Sequence, residues 1–130
     1  MAEKIRIVCI EDEPEMIELV TLILTRHGFE VHGALGGQEG LEIIRQVNPD
    51  LVLLDLMMPE MDGWQVFQTL RVNAETAHIP VIIVTAKAQS IDKVLGIHIA
   101  KVSDYITKPF GPQELLDSVN RVLESVSSTQ

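Results

Sequence analysis

The most informative stretch of the sequence reads Leu51-Val52-Leu53-Leu54-Asp55-Leu56-Met57-Met58-Pro59-Glu60-Met61-Asp62-Gly63. Its four leading apolar residues are typical of a strand, and they run directly into Asp55 and a turn rich in Pro, Asp and Gly. An apolar run without alternation indicates a central strand of a parallel sheet, covered on both faces. Ligands of such sheets bind outside the carboxyl ends of the strands, so we expect Asp55 at a functional site. The alternative is that Asp55 only ends the strand or caps the turn.

The rest of the chain alternates short apolar runs with segments of helical spacing. Together with residues 51–54, strands are predicted at residues 5–10, 29–34, 81–84 and 105–107. Helices are predicted at residues 14–27, 41–47, 64–71, 90–99 and 112–126, the last with Gly111 as its N-cap. Strands that alternate with helices through short loops predict an α/β fold, a doubly wound parallel sheet of five strands with helices on both faces.

Length and charge limit what the protein does. The chain has 130 residues, the size of one ordinary domain, so we expect residues 1–130 to form a single domain. Its core covers about residues 4–126, with 127–130 as a tail or the start of a linker. Ten basic and nineteen acidic residues give a net charge of −9, which argues against direct binding to nucleic acid or to anionic membranes.

The sequence also predicts a cellular compartment. Its longest apolar stretches are too short to span a bilayer, and the acids at residues 11–13 break any signal-peptide pattern. We therefore expect the cytoplasm. The single cysteine, Cys9, allows no internal disulfide and is expected to be a small core residue.

Polar residues follow four of the predicted strands, at the edge where parallel strands end together. They are Glu11 and Asp12, Asp55, Thr85, and Lys108. Three neighbouring carboxylates repel one another and call for a cation, and a hard divalent ion that prefers oxygen ligands, Mg²⁺ or Mn²⁺, suits them. The four histidines are scattered singly without the spacing of zinc ligands, so a zinc site is not expected.

A carboxylate beside a metal and a lysine is also able to act as a nucleophile toward phosphorus. Aspartate takes up phosphoryl groups as aspartyl phosphate, with the help of charges and donors that neutralise the phosphoryl oxygens. Asp55, Lys108 and the Thr85 hydroxyl supply these groups. Taken singly, a threonine such as Thr85 is more often only a strand-end residue, and a lysine such as Lys108 is more often only a surface charge. Their convergence on one edge with the three carboxylates favours a functional site.

With these residues, the sequence resembles the receiver domains of two-component response regulators, in particular those similar to the chemotaxis regulator. The resemblance covers residues 4–126. It rests on four motifs, Glu11-Asp12-Glu13-Pro14, the stretch from Asp55 to Gly63, Thr85-Ala86, and Tyr105-Ile106-Thr107-Lys108-Pro109-Phe110. It implies a flavodoxin-like, three-layer α/β/α fold with strand order 2-1-3-4-5. It also implies a phosphorelay switch that catalyses only its own phosphorylation and dephosphorylation, and so is not an enzyme in the usual sense.

The resemblance implies a role for each motif residue. Asp55 would be the phosphoacceptor and Lys108 the contact to the phosphoryl group, before a peptide bond to Pro109 that is usually cis in the family. Mg²⁺ would be held by Asp12, Asp55 and the backbone carbonyl of Met57, with Glu11 helping through water. Thr85 and Tyr105 would form the switch pair that changes the surface of the fourth helix, last strand and fifth helix.

The resemblance also implies partners. A sensor histidine kinase or a phosphotransfer protein would deliver the phosphoryl group, and a downstream protein or an output domain would read it. The sequence departs from the family at Lys101-Val102, where Gly-Ala is usual. Regulators with winged-helix domains usually dimerise through charged pairs on the switch surface. The acidic residues Asp104 and Glu114 are present here, but Ser118 and Ser125 occupy the positions where basic partners are expected. We therefore do not predict that dimer.

The resemblance also implies that two positions, Met57 and Lys87, would flank the phosphoryl group and could influence how water attacks it. Met57 offers no hydrogen bond to orient water, which leads to the hypothesis that the phosphorylated form hydrolyses slowly.

Three other functions compete with this one, and the sequence disfavours each of them. A metal-dependent phosphatase with an aspartyl nucleophile would need an acid/base Asp where Met57 stands. A flavin- or nucleotide-binding module would need a Gly- or Ser/Thr-rich phosphate loop where residues 11–13 are acidic. A receiver-like interaction domain that is never phosphorylated is disfavoured because all the key positions are occupied.

Overall fold

The computed structural model describes residues 4–59, 61–86 and 102–128. Five strands are described, β1 Arg6–Glu11, β2 Glu30–Leu35, β3 Leu51–Leu54, β4 Val81–Thr85 and β5 Asp104–Thr107. The helices within these ranges are α1 Pro14–Thr25, α2 Gly37–Val47, α3 Gly63–Val72 and α4 Pro112–Ser128. The helix predicted at residues 90–99 lies outside the described residues, as does Lys87.

The five strands form one parallel sheet with the order β2-β1-β3-β4-β5. This confirms the predicted doubly wound, flavodoxin-like α/β architecture. Strand bounds differ from the prediction by about one residue, as is usual for element ends. For example, β2 begins after Phe29, because the Phe29 N–H donates to the Leu24 carbonyl and so takes part in the turn that follows α1.

The apolar strands are buried on both faces, which explains why their sequences do not alternate. In β1, β3 and β4, successive residues point to opposite faces of the sheet. One hydrophobic cluster joins Ile10 and Leu54 to α2 and α3, and the other joins Cys9 and Leu53 to α1 and α4. The sheet therefore forms the middle of three layers. Cys9 lies in this core, as expected.

Local sequence sets the helix ends. Pro14 occupies the first turn of α1, where its missing N–H costs nothing. After α2, Asn48 adopts a left-handed conformation with φ of 53° before Pro49, as the resistance of pre-proline residues to helix predicts. The α3 N-terminus carries a capping box, in which Asp62 and Gln65 each accept the other's backbone N–H. None of the helices in the described ranges is long and apolar enough to cross a membrane.

Candidate functional site

Three predicted metal ligands meet at the carboxyl edge of the sheet. Glu11 ends β1, Asp12 follows it, and Asp55 comes directly after β3, the neighbour of β1. One carboxylate oxygen from each of the three lies within 4.8 Å of the others. Glu11 and Asp55 are only 2% and 4% exposed. The described structure thus brings an acidic cluster together from two adjacent strands.

Lys108 is the cation of this cluster. Its Nζ lies 2.6 Å from Glu11 Oε1, 3.4 Å from Asp55 Oδ2 and 3.5 Å from Glu13 Oε1. The peptide bond between Lys108 and Pro109 is cis. The shortest contact of the lysine is therefore to Glu11, and one positive charge is shared among several carboxylates.

Burial and the neighbouring charges change the proton affinity of Glu11 and Lys108. Burial, with the nearby charge of Asp55, raises the pKa of Glu11 from 4.5 to about 7, although the Lys108 contact opposes the shift. Burial alone would lower the pKa of Lys108, but the hydrogen bond to Glu11 and the charge of Asp55 outweigh it and raise that pKa. The cluster holds more negative charge than its lysine neutralises.

The backbone around Asp55 is held on several sides. The Asp55 N–H donates to the Ile10 carbonyl at 3.0 Å, which ties it to β1. Its carboxylate Oδ1 accepts the N–H of Met57 at 3.1 Å. The Gly63 N–H at the start of α3 donates to the Leu56 carbonyl, also at 3.0 Å. Asp55 therefore has one oxygen bound to the loop after it and the other directed to Lys108.

The remaining predicted site residues are Met57, Thr85 and Tyr105. Met57 is 63% exposed. Thr85 ends β4, where it pairs with Thr107, but its side chain lies outside what the structure describes. Tyr105 pairs with Ile83, two residues before Thr85, and its side chain is 43% exposed. The two proposed switch positions thus occupy adjacent strands.

Sequence analysis missed two contacts on the face formed by β5 and α4. The carboxylate of Asp104 accepts hydrogen bonds from buried Ser118 at 2.7 Å and from Arg121 at 2.6 Å. Burial would raise the pKa of Asp104, but these bonds and that from the Tyr105 N–H lower it below its usual value. The basic partner of Asp104 is therefore Arg121 of the same chain. It lies about one helical turn after Ser118, one of the two positions at which the family resemblance led us to expect a basic residue.

The cluster suits a hard divalent cation. Its donors are all carboxylate oxygens, the kind of ligand that Mg²⁺ prefers, and the described ranges place no His or Cys beside them as a ligand. Burial, with the nearby charge of Asp55, raises the pKa of Glu11, and a bound cation would favour the charged form of these carboxylates.

Comparison with known proteins shows which family the chain belongs to. Residues 7–120 match the family model of the response regulator receiver domain. Protein PilH of Pseudomonas aeruginosa is 42% identical over 118 residues, which cover 91% of this chain and 97% of that protein. The DNA-binding dual master transcriptional regulator RpaA of Synechocystis is also 42% identical over 118 residues, but they cover 48% of its length.

Solved structures show the same fold. A response regulator receiver domain protein from Methanospirillum hungatei superimposes with a TM-score of 0.88 at 26% identity, and the match covers 98% of this chain and 100% of that one. A putative response regulator from Chloroflexus aurantiacus gives a TM-score of 0.85 at 30% identity, over 94% of this chain and 99% of that one.

This chain belongs to the response regulator receiver domains, the phosphoacceptor switches of two-component signal transduction. It spans about half the length of several curated relatives, including RpaA and the transcriptional regulatory protein SrrA of Staphylococcus aureus, and nearly all of PilH.

Proposed function

We propose that Asp55 is the phosphoacceptor and takes a phosphoryl group from a sensor histidine kinase or a phosphotransfer protein. One observation carries this proposal: Asp55 is a buried carboxylate at the end of a central strand, beside Lys108 and two further acids. In the transfer, an Asp55 oxygen forms a bond to phosphorus. The bond from phosphorus to the donor nitrogen breaks, and its electron pair stays with the donor.

The proposed metal ligands of the site are Asp12, Asp55 and the Met57 backbone carbonyl, with Glu11 acting through water. Mg²⁺, or Mn²⁺, would supply positive charge that screens the phosphoryl oxygens when it is bound. Lys108 adds a fixed positive charge within reach of Asp55, and its bond to Glu11 holds it at the sheet edge. The Met57 N–H fixes one Asp55 oxygen and so orients the carboxylate.

The proposed switch consists of Thr85 and Tyr105. The Thr85 hydroxyl would gain a hydrogen bond by moving to a phosphoryl oxygen, and the ring of Tyr105 would then turn inward. The 43% exposure of Tyr105 and its place on the strand beside Thr85 support this proposal. Phosphorylation would shift an existing equilibrium between the two conformations of this switch. The size of the shift is limited by how much more favourably the phosphoryl group interacts with one conformation than with the other.

Response regulators as a class receive their signal from histidine kinases and pass it to effectors. For this chain we propose a kinase or phosphotransfer protein as donor, and a downstream protein or an output domain as reader. We further propose that the exchange takes place in the cytoplasm.

The test is intact-protein mass spectrometry after incubation with acetyl phosphate and Mg²⁺. We expect the native protein to gain one phosphoryl group, and Asp55→Asn or a chelated sample to gain none. Asp117→Asn is the matched control, because Asp117 is an exposed aspartate on α4, and it is expected to gain the group as the native protein does.

Two results would count against the proposal. A phosphoryl group on Asp55→Asn would place the acceptor elsewhere. No gain in a folded native protein, even with a histidine phosphotransfer protein as donor, would favour a receiver-like interaction domain instead.

A further inference from the structure

Gly63 lies at the first turn of α3 and packs directly on the backbone of the phosphoacceptor. A Cβ atom at this position would overlap the carbonyl oxygen of Asp55 and would lie 2.7 Å from the Cα of Leu56. These are main-chain atoms, which cannot rotate away as a flexible side chain does. Only a residue without a side chain lets the helix approach this closely.

Both partners in this contact are fixed. On one side, the Asp55 N–H is bound to the Ile10 carbonyl of the neighbouring strand β1. On the other side, the first turn of α3 is held by the capping box of Asp62 and Gln65. The loop that carries Met57 begins and ends at this contact, since the Gly63 N–H closes it on the Leu56 carbonyl at 3.0 Å.

We propose that Gly63 is a positioning residue for phosphorylation. Its missing side chain allows α3 to lie against the Asp55–Leu56 peptide, and this contact sets the direction of the Asp55 carboxylate and of the Met57 backbone. The inference rests on the proposed roles of Asp55 and Met57 in binding Mg²⁺ and the phosphoryl group. A methyl group at position 63 would move both together, because the Met57 N–H is bound to the Asp55 carboxylate.

The experiment compares Gly63→Ala with Gly33→Ala. A Cβ at Gly33, on β2, would also meet a close neighbour, but that neighbour is the side chain of Ile17 on α1 and not the backbone of Asp55. Mg²⁺ affinity is measured by titration calorimetry, and the rate of phosphorylation by acetyl phosphate is measured by mass spectrometry. Both are taken at a temperature at which circular dichroism shows each variant folded.

We expect Gly63→Ala to bind Mg²⁺ about tenfold more weakly, the range seen when groups that orient metal ligands are altered. Its phosphorylation is expected to be slower even at saturating Mg²⁺. Gly33→Ala is expected to stay within about twofold of the native protein in both measurements, even if it loses as much thermal stability.

The inference is overturned if folded Gly63→Ala matches Gly33→Ala in Mg²⁺ affinity and in rate. If Gly63→Ala does not fold, the Mg²⁺ affinity of Asp62→Ala tests the inference instead. This variant removes the cap of α3, which loosens its first turn, and leaves Gly63 in place. Mg²⁺ binding weakened about threefold supports the inference, and unchanged binding overturns it. A native protein that binds no Mg²⁺ would overturn the proposed metal site and this inference together, whereas a failure confined to the variants leaves the proposed function standing.

Discussion

Glu11 and Asp55 are buried carboxylates that share one cation, and their chemistry follows from that shortage of positive charge. Lys108 lies closer to Glu11 than to Asp55, at 2.6 Å against 3.4 Å. Glu11 therefore acts as the resting partner of the lysine, while Asp55 keeps an oxygen directed to it at longer range. A phosphoryl group on Asp55 would bring new negative charge to Lys108 and compete with Glu11 for it.

The raised pKa of Glu11 predicts an unusual pH dependence of stability in the absence of metal. The folded protein keeps a proton on Glu11 up to pH about 7, whereas the unfolded chain releases it near 4.5. The folded state thus binds more protons in this interval, and the free energy of unfolding is expected to fall by about 1–3 kcal/mol as the pH rises through it. Urea unfolding at several pH values, in the presence of a metal chelator, measures this change in the free energy of unfolding.

The matched variant for this prediction is Glu11→Gln, which keeps the side-chain shape and removes the titrating group. Its stability is expected to depend less on pH over the same interval. Equal pH dependence of the two proteins would mean that Glu11 titrates near its ordinary pKa.

Met57 governs a second prediction at the residue scale, the lifetime of the phosphorylated protein. Its exposed thioether stands two residues after Asp55 and cannot orient an attacking water by a hydrogen bond. Met57→Asn introduces an amide at this place and is expected to shorten the half-life of phosphorylated Asp55 about tenfold or more. Met57→Ala, which adds no polar group, is expected to shorten it little. Mass spectrometry that follows the loss of the phosphoryl group over time gives both half-lives. An unchanged half-life in Met57→Asn would contradict the hypothesis.

At the scale of elements, α3 connects the site to the far end of the sheet. Its first turn packs on Asp55, and its last turn carries Arg71, whose guanidinium donates to the carbonyls of Ala77 and Ile79 at 3.1 and 3.0 Å. The same group lies 4.6 Å from the centre of the Phe67 ring. Arg71 thus joins the end of α3 to the segment that leads into β4.

We expect Arg71→Lys to destabilise the protein by about 1–2 kcal/mol, although it keeps the charge. Both bonds come from one nitrogen, Nη1, and a lysine ammonium has no planar group that could stack on the Phe67 ring while its nitrogen bonds these carbonyls. Thermal or urea unfolding measures the loss. The control is Arg45→Lys, because Arg45 is an exposed residue of α2. This substitution is expected to change the free energy of unfolding by less than about 0.5 kcal/mol. Equal stability of the two variants would show that the Arg71 bonds contribute little.

At the scale of the whole molecule, the site lies at the carboxyl edge of the sheet, directly beyond the two hydrophobic clusters. Alternate residues of β1 and β3 bury Ile10 and Leu54 on one face and Cys9 and Leu53 on the other, so both strands are held rigidly up to their last residue. Strands fixed in this way present Glu11 and Asp55 side by side despite their repulsion. The folding of the core therefore maintains an arrangement that is unfavourable for the charges alone.

This arrangement predicts that Mg²⁺ stabilises the folded protein as a whole. Only the folded state gathers the three carboxylates, so Mg²⁺ at about 10–100 times its dissociation constant is expected to raise the free energy of unfolding by about 1–3 kcal/mol. Unfolding with and without Mg²⁺, at equal ionic strength set by NaCl, measures the effect. Asp12→Asn is expected to lose most of it, and an equal gain in this variant would contradict the proposed ligand set.

The sequence by itself determined the strands, the helices that alternate with them in the described ranges, and the edge at which Asp55 lies. These features follow from hydrophobic periodicity, from turn residues and from strand ends, all of which are local. The motif around Asp55 then indicated the receiver family, and the family comparison confirms it. The acidic cluster was predicted too, because parallel strands must end at a common edge.

Only the tertiary structure decided which groups are in contact. That Lys108 lies nearest to Glu11, that Arg121 pairs with Asp104, and that Gly63 touches the Asp55 carbonyl depends on strand register and helix packing between distant parts of the chain. Periodicity reports whether a residue faces the core, but it carries no information about distances of a few ångströms across elements. Such distances set the charge balance and the orientation of the site, and so they fix how the site works.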